Sequence, residues 1–196
     1  QKITPFSQYD ARFPIKIGRF TIHDFYGRGT YLSVEDILKY SSNIGSAKIA
    51  LDVGRDYQKS FFKKIGVLDT VACELIETQK PLYPKNWGEV SSMTIAFGHG
   101  IALSPLHLIT VISGMLNGGK KHNPTLLQKC TETFGERIIS EKTAKQIAIL
   151  MRLNVTEGAN KKAEVKGYCV GGKSGTAEKL NRGKYSKTAN YTGFIG

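Results

Sequence analysis

Two tripeptides carry side chains that could do chemistry together. Ser41-Ser42-Asn43 offers hydroxyl and amide groups, and Lys173-Ser174-Gly175 offers an ammonium beside a hydroxyl and a residue with no side chain. A lysine can stabilise developing negative charge and a serine near it can pass protons, which is the equipment of acyl transfer. A second chemistry competes for the same lysine. Gly167, Gly172, Lys173 and Ser174 also fit G-x-x-x-x-G-K-[ST], the loop that cradles nucleotide phosphates.

The flanking residues separate the two readings. A phosphate loop follows a buried strand and opens a helix, so that backbone N–H groups converge on the anion. Here the polar stretch GANKKAEVK precedes Gly167, and TAEKLNRGK reaches a turn soon after Gly175. Acyl transfer asks instead for an extended strand at the lip of a cleft, where Lys173 and Gly175 share a face. A bare Gly175 would let substrate and a facing helix come close to the backbone. The Thr176 N–H is then a candidate oxyanion donor, and the Ser174 and Thr176 hydroxyls could hold a carboxylate. Asn43 lies 130 residues before Lys173 on a helical stretch. Either tripeptide alone arises by chance; the ordered pair, each on its expected element, is far more specific.

The elements that must position these residues follow from the apolar pattern. Residues 1–32, with two prolines, scattered aromatics and Gly-Arg-Gly, read as short strands or a meandering loop. Ser33 is a helix N-cap with Asp36 reaching back to it. Ser41-Ser42-Asn43 falls at a break between that helix and a second one ending at Gly54, because serine and asparagine compete with helical backbone bonds. A blander role for Ser41 is a helix-end cap. Residues 56–66 form a short helix ended by Gly66, and residues 67–103 are rich in loop. Ser104-Pro105 starts a helix, LHLITVISGML, that is apolar nearly all round and so is expected to be central. Another helix follows Ser140. KGYCVGGKSGTAEKL and KTANYTGFIG read as two strands joined by the turn NRGK. This order predicts an α+β fold, an antiparallel sheet flanked by helices.

Composition narrows the class. Of 196 residues, 40% are hydrophobic and 22% charged, as in a globular domain. The longest apolar stretch, IALSPLHLITVISGML, is interrupted by serines, a proline and a histidine, so no span of a membrane is expected. The net charge of +12 suits an anionic partner, but the lysines are scattered in pairs without interleaved aromatics, and no nucleic-acid partner is expected. Cys73, Cys130 and Cys169 are odd in number and widely spaced, and the four histidines make no H-x-x-x-H; neither a metal site nor a cofactor is expected. His99 reads as a loop histidine bonded to backbone, Cys169 as a small residue packed in a strand, and Trp87 as a packing anchor.

Much of the chain resembles the transpeptidase domain of class B penicillin-binding proteins, above all the division-type (septal) members. Besides the two boxes, GRFTIHDFYGRGTYLSVEDILKYSSNIGSAKIAL is similar to that family's approach to S-x-N. MTIAFGHGIALSPLHLITVISGMLNGG is similar to its G-x-G segment, T/S-P-L and helix ending in N-G-G, and GANKKAEVKGYCVGGKSGTAEK to its approach to K-[ST]-G. The middle residue of the last box is serine where threonine is common. The resemblance implies a penicillin-binding-protein/β-lactamase-like fold, incomplete here, with residues 1–196 a partial domain truncated at both ends. It implies a D,D-transpeptidase that cross-links peptidoglycan stem peptides and is acylated by β-lactams, alongside division-complex membrane proteins. Its catalytic domain would lie in the periplasm on a single-pass inner-membrane anchor outside this sequence. Ser41 would relay protons, Asn43 would hold the substrate amide, and Lys173 would supply positive charge.

The family nucleophile is the serine of an S-x-x-K box upstream of S-x-N. The match here, Ser60-Phe61-Phe62-Lys63, stands after S-x-N and reads as an ordinary helix, so the nucleophile is expected before Gln1 and the chain alone is expected to be inactive. Two rivals share some features. A serine β-lactamase or D,D-carboxypeptidase would carry the same boxes, against the FGHG and SPLHL segments; a non-catalytic basic binding module would account for the charge alone.

Overall fold

A computed structural model of the chain describes residues 3–25, 27, 29–128, 135–181 and 184–196. The chain divides into two compact units, one made of Gln1–Asp52, Met93–His99 and Ile149–Gly196, the other of Val53–Ser92 and Gly100–Ala148.

The first unit begins with the expected short strands. β1 (Gln8–Asp10) pairs antiparallel with β4 (Tyr31–Ser33), and β2 (Ile15–Ile17) with β3 (Phe20–Ile22). Alternation puts Tyr9, Ile22 and Leu32 inward, onto Ile37 of helix α1 (Val34–Tyr40) and Ile44 and Ala47 of helix α2 (Asn43–Val53), with Met93 completing the core. Ser33 and Asp36 form the capping box that the sequence predicts, each side chain bonded to the other's backbone N–H. The two helices approach closely because position 45 is glycine; a Cβ there would lie 2.4 Å from an Ile37 methylene. The Tyr9 hydroxyl donates to Asp52 at 3.0 Å, and burial, with that hydrogen bond and the Asp52 charge, pushes it up to about 12.

Helix α6 (Glu141–Thr156) leads into this unit, followed by strands β7 (Lys173–Asn181) and β8 (Lys184–Ile195). These two are antiparallel, with Lys173 opposite Ile195 and Gly175 opposite Gly193, and the register shifts between Glu178 and Leu180. The first strand is shorter than the sequence pattern suggests. Residues 167–172 are irregular: Gly167 has φ +89°, Tyr168 N–H turns back to the Val165 carbonyl, and the Gly172 N–H is taken by Met151 of α6. Helix bonds thus compete with a strand ladder there. The two central residues of the NRGK turn, Arg182 and Gly183, lie outside the described residues, as does Cys130.

In the second unit, helices α3 (Arg55–Lys64) and α5 (Pro105–Leu116) supply Phe61, Phe62, Val111 and Met115 to a core with Ile65, Val67 and Ile138. Ser104 caps α5 with Pro105 at its first position, as the sequence predicts. That helix is not buried all round: His107, Thr110, Val111 and Gly114 face inward while Leu108, Ile109 and Leu116 are exposed. Its inward face therefore carries a polar group, and the His107 ring bonds the Ser104 hydroxyl and the Asp69 carbonyl, both at 2.8 Å. Trp87 is buried as the anchor expected of it, its indole N–H on Gln58 Oε1 at 3.0 Å, the oxygen that also accepts from Ser92. The loop-rich stretch hides helix α4 (Glu89–Ala96), where paired serines blur the apolar period. The short strands β5 (Lys120–Lys121) and β6 (Glu136–Arg137) were not expected either. The strands described form four two-stranded antiparallel pairs among helices, an α+β arrangement.

Candidate active site

Ser41 occupies an uncommon backbone position. It follows α1 in the left-handed region, φ 58° and ψ 48°, the one non-glycine residue with positive φ among those described. The Ser41 N–H reaches the Leu38 carbonyl at 3.3 Å and the Ser42 N–H the Ile37 carbonyl at 3.0 Å, the double bond of a Schellman ending. Glycine is the usual residue there, and an L side chain costs about 1–2 kcal/mol. Such strain persists where the surroundings over-determine it, and it concentrates at functional sites. The Ser41 side chain is exposed, and its hydroxyl accepts a hydrogen bond from Lys173 Nζ.

The next residues start α2. Ser42 is buried, and its hydroxyl accepts the Gly45 N–H at 2.9 Å, an N-cap. The same hydroxyl donates to Asp24 Oδ2 at 2.7 Å, while Asp24 Oδ1 accepts the Ile44 N–H at 2.9 Å. Asn43 directs its amide NH₂ to the His23 carbonyl at 2.9 Å. Sequence reasoning missed His23 and Asp24; the signal available was an acid between two apolar stretches, which points nowhere by itself.

Lys173 is the first residue of β7, and helix α6 sets where that strand begins. The buried Asn154 side chain donates to the Gly172 carbonyl at 2.9 Å, Met151 O accepts the Gly172 N–H at 3.0 Å, and Arg152 donates to the Val170 carbonyl at 2.7 Å. The loop after α6 also grips the end of α1: the Ala159 N–H bonds the Lys39 carbonyl at 3.0 Å, and Glu157 pairs with Lys39 at 2.5 Å. Gly158 leaves room for this, since a Cβ there would lie 2.6 Å from that carbonyl. One helix end thus sets the spacing between Ser41 and Lys173. Besides Ser41, Lys173 Nζ donates to the Ser174 carbonyl at 2.9 Å. Burial pushes the ammonium below its ordinary value. Proton exchange with the Ser41 hydroxyl is easier as a result.

The remaining predicted residues lie along the same strand. Ser174, Gly175 and Thr176 are exposed. A Cβ at Gly175 would meet nothing within 4 Å, nor would one at the paired Gly193, so among the described residues no helix packs onto the strand face there. Asn154 Oδ1 is buried without a partner. The phosphate-loop reading fails here: Lys173 and Ser174 start a strand, so no helix N-terminus follows the glycines. Cys169 is not packed in a strand; it is exposed in the irregular segment, where the glycines allow no ladder. Ser60 lies inside α3 and gives its hydroxyl proton to the Tyr57 carbonyl at 2.9 Å. His99 is exposed beside the Phe97 ring, 6.5 Å between centroids, and its backbone N–H bonds Thr94. Among the described residues no three His, Cys, Asp or Glu side chains converge as metal ligands, and no helix is long and apolar enough to cross a membrane.

The family model of the penicillin binding protein transpeptidase domain matches residues 2–196. The chain belongs to this transpeptidase family. It is 37% identical over 183 residues to the probable peptidoglycan D,D-transpeptidase FtsI of Caulobacter vibrioides, covering 91% of this chain and 31% of that protein. It is 30% identical over 185 residues to the stage V sporulation protein D of Bacillus subtilis, covering 87% and 28%. Its fold matches the apo TP domain of Burkholderia pseudomallei penicillin-binding protein 3 with a TM-score of 0.89 at 26% identity, over 98% of this chain and 60% of that one. The chain spans about a third of the length of the curated relatives it matches. The relatives named FtsI agree with the class B, division-type domain that the sequence resembles, and the rival enzyme and binding-module readings gain nothing from the matches.

Proposed function

We propose that this chain is the proton-relay and anion-stabilising portion of a peptidoglycan D,D-transpeptidase. The observation that carries the reading is the hydrogen bond from Lys173 to Ser41, two residues 132 positions apart. In the reaction, a serine of an S-x-x-K segment outside this sequence attacks the penultimate D-alanyl carbonyl carbon of a stem peptide. The bond to the terminal D-alanine breaks and the serine ester forms. Ser41, bonded to the Lys173 amine, passes the proton to the leaving nitrogen. The amine of a second stem peptide then attacks the ester carbonyl, forming the cross-link and returning the proton to the serine.

Positive charge on Lys173 favours the oxyanion of both steps and the substrate carboxylate, which the free edge at Ser174, Gly175 and Thr176 can receive. Asn43 is turned by His23 so that its carbonyl oxygen remains to accept from substrate. The substrates would be stem peptides, and β-lactams would acylate the same serine. No cofactor takes part. We place the whole protein in the periplasm on an inner-membrane anchor, working with membrane proteins of the division complex. The test is intact-mass measurement after fluorescent penicillin, on this chain and on one extended upstream by roughly 60 residues, a fraction of one domain's length. A covalent adduct on the extended chain alone is expected. An adduct at Ser60 of the short chain, or none on the long one, overturns the reading.

A further inference from the structure

We propose that Asp24 is a positioning residue for this site: from the segment after β3, its carboxylate latches the Ser42 hydroxyl and the first turn of α2, and so fixes the corner on which Ser41 and Asn43 stand. The catalytic consequence rests on the transpeptidase reading; the positioning does not. Asp24 spans both sides of the corner's second half, with Oδ2 accepting from Ser42 at 2.7 Å and Oδ1 from the Ile44 N–H at 2.9 Å. Ser42 is 3% exposed, so its hydroxyl has no water to replace a lost acceptor, and it must still cap Gly45. The adjacent His23 carbonyl holds Asn43. Two consecutive residues some twenty positions earlier therefore hold residues 42, 43 and 44 between them, His23 the middle one and Asp24 the other two.

A helix needs only one N-cap, and Ser42 already supplies it. The extra bonds act on orientation. The Schellman bonds tie Ser41 and Ser42 to α1, while Asp24 ties Ser42 and Ile44 to the β3 side, and the left-handed Ser41 lies between the two anchors. With the second anchor gone, the Ser41 hydroxyl is free to drift from Lys173 without any unfolding. Ser42 and Ile44 use the two different oxygens of Asp24, so asparagine at 24, with one oxygen and an NH₂ in their place, turns a donor toward one of the two groups unless the side chain shifts.

The test uses the full-length protein that contains this chain. It compares Asp24→Asn, Ser42→Ala, Ser42→Thr and the double variant Asp24→Asn/Ser42→Ala, with Asp56→Asn, whose side chain is exposed on α3, as a surface control. Time-resolved labelling by fluorescent penicillin separates non-covalent affinity from the acylation rate constant. Asp24→Asn and Ser42→Ala are each expected to slow acylation about 10- to 100-fold, the range for a reacting group misplaced by about 1 Å. Affinity should change less than the acylation rate, because the His23 carbonyl still holds Asn43. The double variant should lose less than the product of the two single losses, because both remove the Asp24–Ser42 bond. Ser42→Thr, which keeps the hydroxyl, should recover most of the rate. Wild-type rates in a folded Asp24→Asn protein, or additive losses, overturn the inference. If Asp24→Asn does not fold, Ser42→Ala against Ser42→Thr decides in the same way. If the wild-type protein is never acylated, the transpeptidase reading falls. The latch is then judged by pH-dependent amine labelling of Lys173, read by mass spectrometry. A curve moved toward that of an exposed lysine in Asp24→Asn upholds it, and an unmoved curve overturns it.

Discussion

Ser41 and Ser60 are both serines at helices, and each has a lysine within reach by sequence or by fold. Ser60 fits the better-known motif, S-x-x-K, yet it sits in the regular backbone of α3 with its proton given to the Tyr57 carbonyl at 2.9 Å. Ser41 belongs to a commonplace tripeptide, yet it stands on a left-handed corner, φ 58°, exposed, and bonded to Lys173. A helical serine is absorbed by its own backbone, since the carbonyl one turn back is the nearest acceptor. A serine on a strained corner has no such acceptor, and its hydroxyl is left for a partner from elsewhere in the chain. Backbone conformation separates the two, and the motif does not.

The largest expected effect breaks the comparison most directly. In the full-length protein, Ser41→Ala should slow penicillin acylation by about 10²- to 10⁴-fold, the range for a lost proton relay. Ser60→Ala should stay within about twofold, as a surface substitution does. Equal losses at both positions would erase the distinction.

A smaller effect lies in pH. Burial lowers the Lys173 value, so the ammonium is lost at a pH where an ordinary lysine still keeps it. A cation whose folded value lies below its unfolded one destabilises the fold while charged. Its contribution therefore improves as pH rises from the lowered folded value toward the unfolded one, and Lys173→Met should flatten that rise in a denaturation series. The alkaline limb of the acylation profile should likewise fall below the ordinary lysine range, and Lys173→Arg, which stays charged, should move it upward.

The smallest effect is in stability and has opposite signs at the two serines. Ser41→Gly relieves the left-handed strain and should stabilise the fold by about 1 kcal/mol while removing the relay. Ser60→Gly puts glycine inside a helix and should destabilise it by up to about 1 kcal/mol. Denaturant midpoints of the two variants should move in opposite directions.

Much of this was readable in residue types. The cap at Ser33, the break at Ser41-Ser42-Asn43, the Ser104-Pro105 start and the terminal hairpin all follow from side chains that compete for local backbone bonds. The misses share a cause as well. Helix α4 is held by Ser92 and Met93 meeting partners that are distant in sequence, and residues 167–172 are kept out of a strand by hydrogen bonds from α6. The polar face of α5 depends on the Asp69 carbonyl meeting His107. None of these leaves a mark within the local pattern.

The sequence by itself determined the kinds of group available, their order, and the family to which the chain belongs, because caps, breaks and motif spacings are local. The tertiary structure alone decided that Lys173 reaches Ser41 and that Ser60 reaches only its own helix. It decided too that His23 and Asp24 hydrogen-bond residues 42–44. Those distances are set by hydrogen bonds at Met151, Asn154, Ala159 and Ile44, each with a backbone group on at least one side, which join segments far apart in the chain. Backbone N–H and C=O groups are alike at nearly every residue, so the sequence does not say which of them will meet.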